Sequence, residues 1–176
     1  RNFLQKSALA SLGLAVPGAL VNAQIPRSKM TPDFVVKNGR IRQSIMGWCF
    51  KPMQAVELAK HCKRIGLVAM EGIPVEAYPE VKALGLEISL VGSHGFKDGP
   101  VDPDNHSMNE AKLREAIDTA VKYGAPSVIT FTGMRVKGAT DAAMAENCIA
   151  CWKEVVGYAE ERKINLVLEH LNSRDD

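Results

Sequence analysis

Five short apolar runs separated by four stretches of helical period constrain this chain more than any other feature. The runs are 42–48 (RQSIMGW), 67–72 (LVAMEG), 86–92 (LEISLVG), 127–133 (SVITFTG) and 165–171 (NLVLEHL). Each is short enough for a strand and bounded by glycine, proline or a polar turn. Between them, Pro52 is expected to open a helix that Gly66 closes, and a short helix ends at Gly85. Ser107 and Glu110 have the spacing of a capping box, ahead of the stripe Leu113, Ile117, Ala120 and Val121, with Gly124 and Pro126 as the stop. Thr140 or Asp141 is expected to cap a last helix that runs to about Lys163.

Strand and helix in strict alternation call for parallel strands joined by crossover helices. Two architectures meet that demand, an open doubly wound sheet and a (β/α)8 barrel. Nucleotide-binding open sheets carry a glycine-rich first turn. The turn after the first run here is GWCFKP, and no phosphate loop occurs elsewhere. The expectation is therefore α/β, a (β/α)8 TIM barrel, incomplete in this sequence, with about five strands and four helices of the eight each. A closed barrel takes about 250 residues, and residues 41–176 supply a little more than half of that.

The first 23 residues read as something else. RNFLQKSALASLGLAVPGALVNA has a basic start (Arg1, Lys6), an apolar middle from Ala8 to Val21 and a small-residue exit at Val21-Asn22-Ala23. Arg1, Phe3, Leu4 and Lys6 match the pattern of a twin-arginine export signal, although one arginine of the pair is present. Pro17 and Gly18 would break a buried helix there. Residues 24–40 read as a linker. The expected location is periplasmic or exported. No apolar stretch reaches the length of about 18 residues that a membrane span needs. A net charge of +2 and 46% hydrophobic residues describe a soluble globular domain and offer no charge signal for nucleic acid.

In a barrel, chemistry gathers at the C-terminal strand tips and the loops after them. Glu169 is the sharpest candidate. Strand alternation puts Val167 and Glu169 on one face and Leu166, Leu168 and His170 on the other, so Glu169 points into the mouth if the leucines pack under helices. A carboxylate buried there needs a metal, a proton or a cation beside it. Glu71 has the same tip position, and two readings stand for it: contact with substrate, or hydrogen bonds that hold the EGIP loop. His94, in GSHGF at the start of a long loop, is either a substrate-facing group or a satisfied polar residue. His106 reads as loop-fixing and Thr132 as structural. Asp98, Asp102 and Asp104 lack the spacing of a calcium loop. Cys148 and Cys151 form a C-x-x-C, but they share an apolar helical stripe with Trp152, Val155 and Ala159, so core packing is expected rather than redox or zinc chemistry.

The segments GSHGFKDGPVDPDNH, PSVITFTG and LVLEHLNSRDD, in that order, resemble the exported hydroxypyruvate-isomerase-like branch of the xylose-isomerase-like barrel proteins. The resemblance covers about residues 40 to 176. It implies one divalent metal ion (Mg, Mn, Co or Zn), with Glu169 as the first metal ligand and a catalytic carboxylate. The implied reaction moves a proton between adjacent carbons of a small sugar or hydroxy-keto acid through an enediolate. By the same resemblance His94 takes a substrate-facing place. The other expected ligands and the second acid have no counterpart in this sequence, so a fragment of a longer protein is expected. The alternative function is a non-catalytic periplasmic carbohydrate-binding barrel. Related DNA-repair endonucleases need several histidines and a basic groove, which four histidines and +2 do not supply. The expected partner is thus a small molecule and not nucleic acid or membrane; a homo-oligomer is compatible with the pattern. Residues 25–176 alone are expected to lack isomerase activity and to bind metal weakly; turnover by that purified polypeptide would contradict this expectation.

Overall fold

The computed structural model describes residues 34–37 and 39–169. The expected export signal at 1–23, most of the linker and residues 170–176 lie outside them. The described elements alternate as expected. Strand β1 (Ser44–Met46) leads through a 3-10 turn (Gly47–Phe50) to helix α1 (Ala55–Ile65), and β2 (Ala69–Glu71) leads to α2 (Tyr78–Ala83). Strand β3 (Glu87–Leu90) leads to α3 (His106–Tyr123), β4 (Ser127–Phe131) to α4 (Asp141–Glu161), and β5 (Asn165–Glu169) follows.

All strand pairs are parallel. β1, β2 and β3 form one sheet in that order, and β4 pairs with β5 in a second. Val91 joins them by a parallel bridge to Val128: its N–H donates to Ser127 O at 3.0 Å and its carbonyl accepts from Ile129 N at 3.0 Å. The spatial order is therefore the sequence order. A doubly wound sheet reverses direction at a switch point, whereas sequential order in one direction is how a twisted sheet curls toward a barrel.

One face of this sheet packs under the helices. Met70, Ile88, Val91 and Val128 meet Leu58 and Cys62 of α1, Val81 of α2, Leu113 and Ile117 of α3 and Val155 of α4 in one buried cluster. Fully burying a side chain of this size stabilises by roughly 1.5–3 kcal/mol, which is why these helix-facing positions are apolar. Tyr78 and Tyr123 close the cluster edge to face, with ring centroids 5.2 Å apart. Cys148 and Cys151 are buried on the α4 stripe as expected, and Cys49, Cys62, Cys148 and Cys151 are all free. Burial pushes the thiols of Cys148 and Cys151 up to about 11, the opposite of a redox-active pair.

Several boundaries differ from the sequence reading. Pro52 does not open α1. It sits in the turn that follows the 3-10 segment, where Met53 N–H donates to Phe50 O, and the helix begins at Ala55 after Gln54. The Ser107–Glu110 capping box does not form either. A 3-10 turn at Pro103–Asn105 runs directly into α3, so Asn105 is already helical and Ser107 lies inside the helix. Capping falls instead to Asp102, whose carboxylate accepts from Asp104 N at 3.1 Å. Thr140 does cap α4, accepting from Ala143 N at 3.2 Å, and Gly66 and Gly124 end α1 and α3 in left-handed conformation. β2, β3 and β4 end before the apolar runs do because Gly72, Gly92 and Gly133 already belong to the loops.

The loops after β3 and β4 are fastened to each other. Val101 N–H donates to Thr132 O at 2.9 Å and Met134 N–H to Lys97 O at 3.1 Å. Gly133 has φ +100°, and a Cβ there would come within 2.7 Å of the Gly99 backbone. Only two glycines permit this approach. Gly133→Ala is expected to destabilise the protein by more than about 1 kcal/mol. Ile117→Ala, in the core, is expected to cost about 2–5 kcal/mol. Urea denaturation midpoints of the two variants check both values.

Candidate functional site

The inner face of the sheet, opposite the helices, carries the polar strand residues. Met70 and Leu166 pack against the core; Glu169, three residues after Leu166, falls on the opposite, inner face by alternation, and Glu71, next to Met70, is placed with the strand residues Ser44 and Ser89 that bond it. Both glutamates close the C-terminal end of their strands, the end where barrel sites form. Glu169 is opposite Phe131 of β4 in the parallel register and is exposed. Leu166 is half-buried under the helices, as the alternation requires, but Leu168 is 39% exposed.

Glu71 is held from both sides. Ser89 Oγ on β3 donates to its Oε2 at 2.9 Å, and Ser44 Oγ on β1 donates to its Oε1 at 3.4 Å, near the long limit for such a bond. Neither serine stood out in the sequence. The signal for them was present, since each is a small polar residue within an otherwise mostly apolar strand, beside a core residue (Ile45, Ile88).

His94 is placed differently. It is 2% exposed, and its ring reaches α4 only through the shared hydroxyl of Thr130. Nε2 is 2.9 Å from Thr130 Oγ1, Nδ1 is 3.0 Å from Gly95 O, and Trp152 Nε1 of α4 donates to Thr130 Oγ1 at 3.0 Å. Donor accounting fixes the protons. The carbonyl of Gly95 needs Nδ1–H, and Thr130, which already accepts from Trp152, donates its own proton to Nε2. Every polar atom in this chain of contacts is satisfied by a neutral ring. Desolvation lowers the His94 pKa, the Gly95 contact opposes this, and the Lys112 charge adds to it. Thr130, rather than the Thr132 that drew notice in the sequence, is the threonine that carries the network. Thr132 serves the loop, where its carbonyl accepts from Val101.

His94 also forms one wall of an open cleft of about 290 Å³ that includes Lys97, Asp98 and Lys112. The loop above it is fixed by His106, as expected, through Nε2 to Pro100 O at 2.9 Å, and by Asn109, which donates to Asp98 O and Asn105 O. Among the described residues no three His, Cys, Asp or Glu side chains converge as a metal site. Glu169 is one carboxylate, and a divalent ion needs several ligands. The described residues therefore do not by themselves form the expected metal centre, and no step of chemistry is derived through it. Among them also, no helix is long and apolar enough to cross a membrane.

The His94 network has a pH signature. Its folded-state pKa lies below the ordinary 6.5, so below about pH 6.5 the unfolded chain binds a proton that the folded protein refuses. Stability from this group is therefore expected to fall as the pH drops through 6.5, and to go on falling until the lowered folded-state value is reached. Thermal unfolding between pH 7.5 and 5 should show that slope, and His94→Gln should flatten it. Thr130→Val should lower stability by about 1–3 kcal/mol at pH 7.5, because Trp152 N–H is left without an acceptor.

No protein-family model and no curated protein matches this chain. Solved structures do. The fold is similar to D-psicose 3-epimerase from Clostridium cellulolyticum H10, solved with D-tagatose (TM-score 0.62, 16% identity, 77% of this chain and 54% of that one). It is similar to 3-keto-D-glucoside 4-epimerase from E. coli (TM-score 0.58, 17% identity, 74% and 55%). It is also similar to an AP endonuclease of family 2 from Brucella melitensis (TM-score 0.61, 15% identity, 72% and 53%). The chain spans about half the length of these structures. At such identities the likeness establishes the fold: four consecutive β/α units and a fifth strand of a TIM barrel, the fold shared by these epimerases and the endonuclease.

Proposed function

We propose that the barrel to which these units belong isomerises or epimerises a small sugar or hydroxy-keto acid, with Glu169 as a reacting carboxylate. The observation that carries this reading is the exposed glutamate at the C-terminal tip of β5, on the inner face, in register with the end of β4. A carboxylate at that position has access to a substrate in the barrel mouth. It can take a proton from a carbon next to a carbonyl and return it to the neighbouring carbon or to the opposite face of the same one. The similar sugar epimerases support this class of reaction through the shared fold.

The proposal includes one divalent metal, to which Glu169 would contribute an oxygen; the described residues supply no further ligands, and such an ion would serve to polarise a substrate carbonyl. It also includes export directed by residues 1–23. The endonuclease shares the fold, but none of the five described strands contains lysine or arginine. DNA binding depends on such groups to answer phosphate charge. The small-molecule reading is therefore preferred to a nucleic-acid one, and the choice between a hydroxypyruvate-like acid and a sugar is taken up below.

Glu169→Gln keeps the shape of the side chain and removes its basicity. In the protein containing the complete barrel it is expected to lower kcat by about 100- to 10,000-fold. Proton exchange from solvent deuterium into the substrate, read by NMR, provides the assay. A variant that exchanges at the wild-type rate would remove Glu169 from the reaction. Binding of sugars by the wild-type protein without any exchange would favour the non-catalytic carbohydrate-binding barrel.

A further inference from the structure

The inner face holds a second carboxylate that proton transfer at Glu169 leaves unused. Glu71 is half-buried at the tip of β2, and three adjacent strands fix its direction: its own, β1 through Ser44 and β3 through Ser89. Among the described residues no ion pair engages it; its charge is met by hydroxyl groups. An ionised carboxylate offers about four acceptor positions, and the two serines take one on each oxygen. The remaining positions, one on each oxygen, suit further O–H donors. Two oxygens on a rigid carboxylate, side by side, match a pair of adjacent hydroxyl groups.

The same arrangement disfavours an acid. None of the five described strands carries a lysine or arginine, so among the described residues the inner-face strand positions set no cation beside Glu71 to neutralise a substrate carboxylate, and Glu71 and Glu169 repel it; Lys97 and Lys112 belong to the cleft at His94. Like charges brought together in a partly desolvated site cost binding energy, whereas hydroxyl donors to a carboxylate form the stronger, charge-assisted class of hydrogen bond.

We infer that Glu71, oriented by Ser89 and Ser44, is a specificity-determining residue that binds adjacent hydroxyl groups of a neutral polyhydroxylated substrate and excludes hydroxy-keto acids. This rests on the small-substrate reading proposed above and decides between its two substrate classes. Ser89 and Ser44 are positioning residues.

The test uses the protein with its complete barrel, titrated calorimetrically with the D-ketohexoses, the D-aldohexoses and hydroxypyruvate, alongside turnover of each. At least one neutral hexose is expected to bind more tightly than hydroxypyruvate. Glu71→Gln should weaken that binding by about 10- to 100-fold, raise KM in parallel and leave kcat within a few-fold. An analogue lacking one of the paired hydroxyls should bind wild type more weakly than the parent sugar, yet lose little further in the variant. Ser89→Ala, which only loosens the carboxylate, should shift KM the same way by a smaller factor, and it serves as the test if Glu71→Gln does not fold. Tighter binding of hydroxypyruvate than of every hexose overturns the inference, as does binding of no hexose or an unchanged hexose affinity in both variants. The two proposals fail separately. Glu71-dependent sugar binding without turnover sinks only the isomerase reading, and hexose turnover with KM unaltered by Glu71→Gln and Ser89→Ala sinks only this one.

Discussion

Two hydrogen bonds made by Val91 hold the arrangement together. Without the contacts from its N–H and C=O to β4, the strands would stand as a three-stranded sheet carrying Glu71 and a two-stranded sheet carrying Glu169. With them, both carboxylates belong to one curved surface with a common inner face. Val91 can make that junction because its side chain is buried at 1% exposure among the helix-facing core. The apolar contact fixes the strand's position, and the backbone bonds then become obligatory, since buried N–H and C=O groups are costly unpaired.

The same division of faces separates the polar groups by purpose. On the helix side, polarity is tolerated only when it is fully satisfied, and the line from Trp152 through Thr130 to His94 and Gly95 meets that condition with a neutral imidazole. On the inner side, Glu71 is engaged by two serines and Glu169 by none of the described hydrogen bonds. A histidine committed to both a threonine and a carbonyl stiffens the ground beneath the cleft; a carboxylate with lone pairs to spare can meet a ligand. The bonded loops after β3 and β4, with Gly99 against Gly133, brace the mouth from the other side.

Period and punctuation made much of this legible in advance. The short, glycine-bounded apolar runs LEISLVG and SVITFTG gave the strands, Gly66 and Gly124 gave the helix stops, and the stripe through Cys148, Cys151 and Val155 gave the buried side of α4. The errors share a cause. Pro52 and Ser107 are residue types suited to helix starts, but the 3-10 turns at Gly47–Phe50 and Pro103–Asn105 moved those starts. Local preference of a few tenths to about 1 kcal/mol yields to such chain geometry.

The sequence by itself determined the alternation of strands and helices, the buried stripe of the last helix, and the presence of a glutamate at the tips of β2 and β5. Those properties depend on neighbours along the chain, where periods of two and 3.6 residues act. Tertiary structure alone decided that Ser44 and Ser89 flank Glu71, that Thr130 and Trp152 satisfy His94, and that Gly99 touches Gly133. These partners are 18 to 36 residues apart in the hydrogen-bonded pairs of Glu71 and His94. Only the parallel register of adjacent strands, set by helices burying one face of the sheet, brings them within bonding distance.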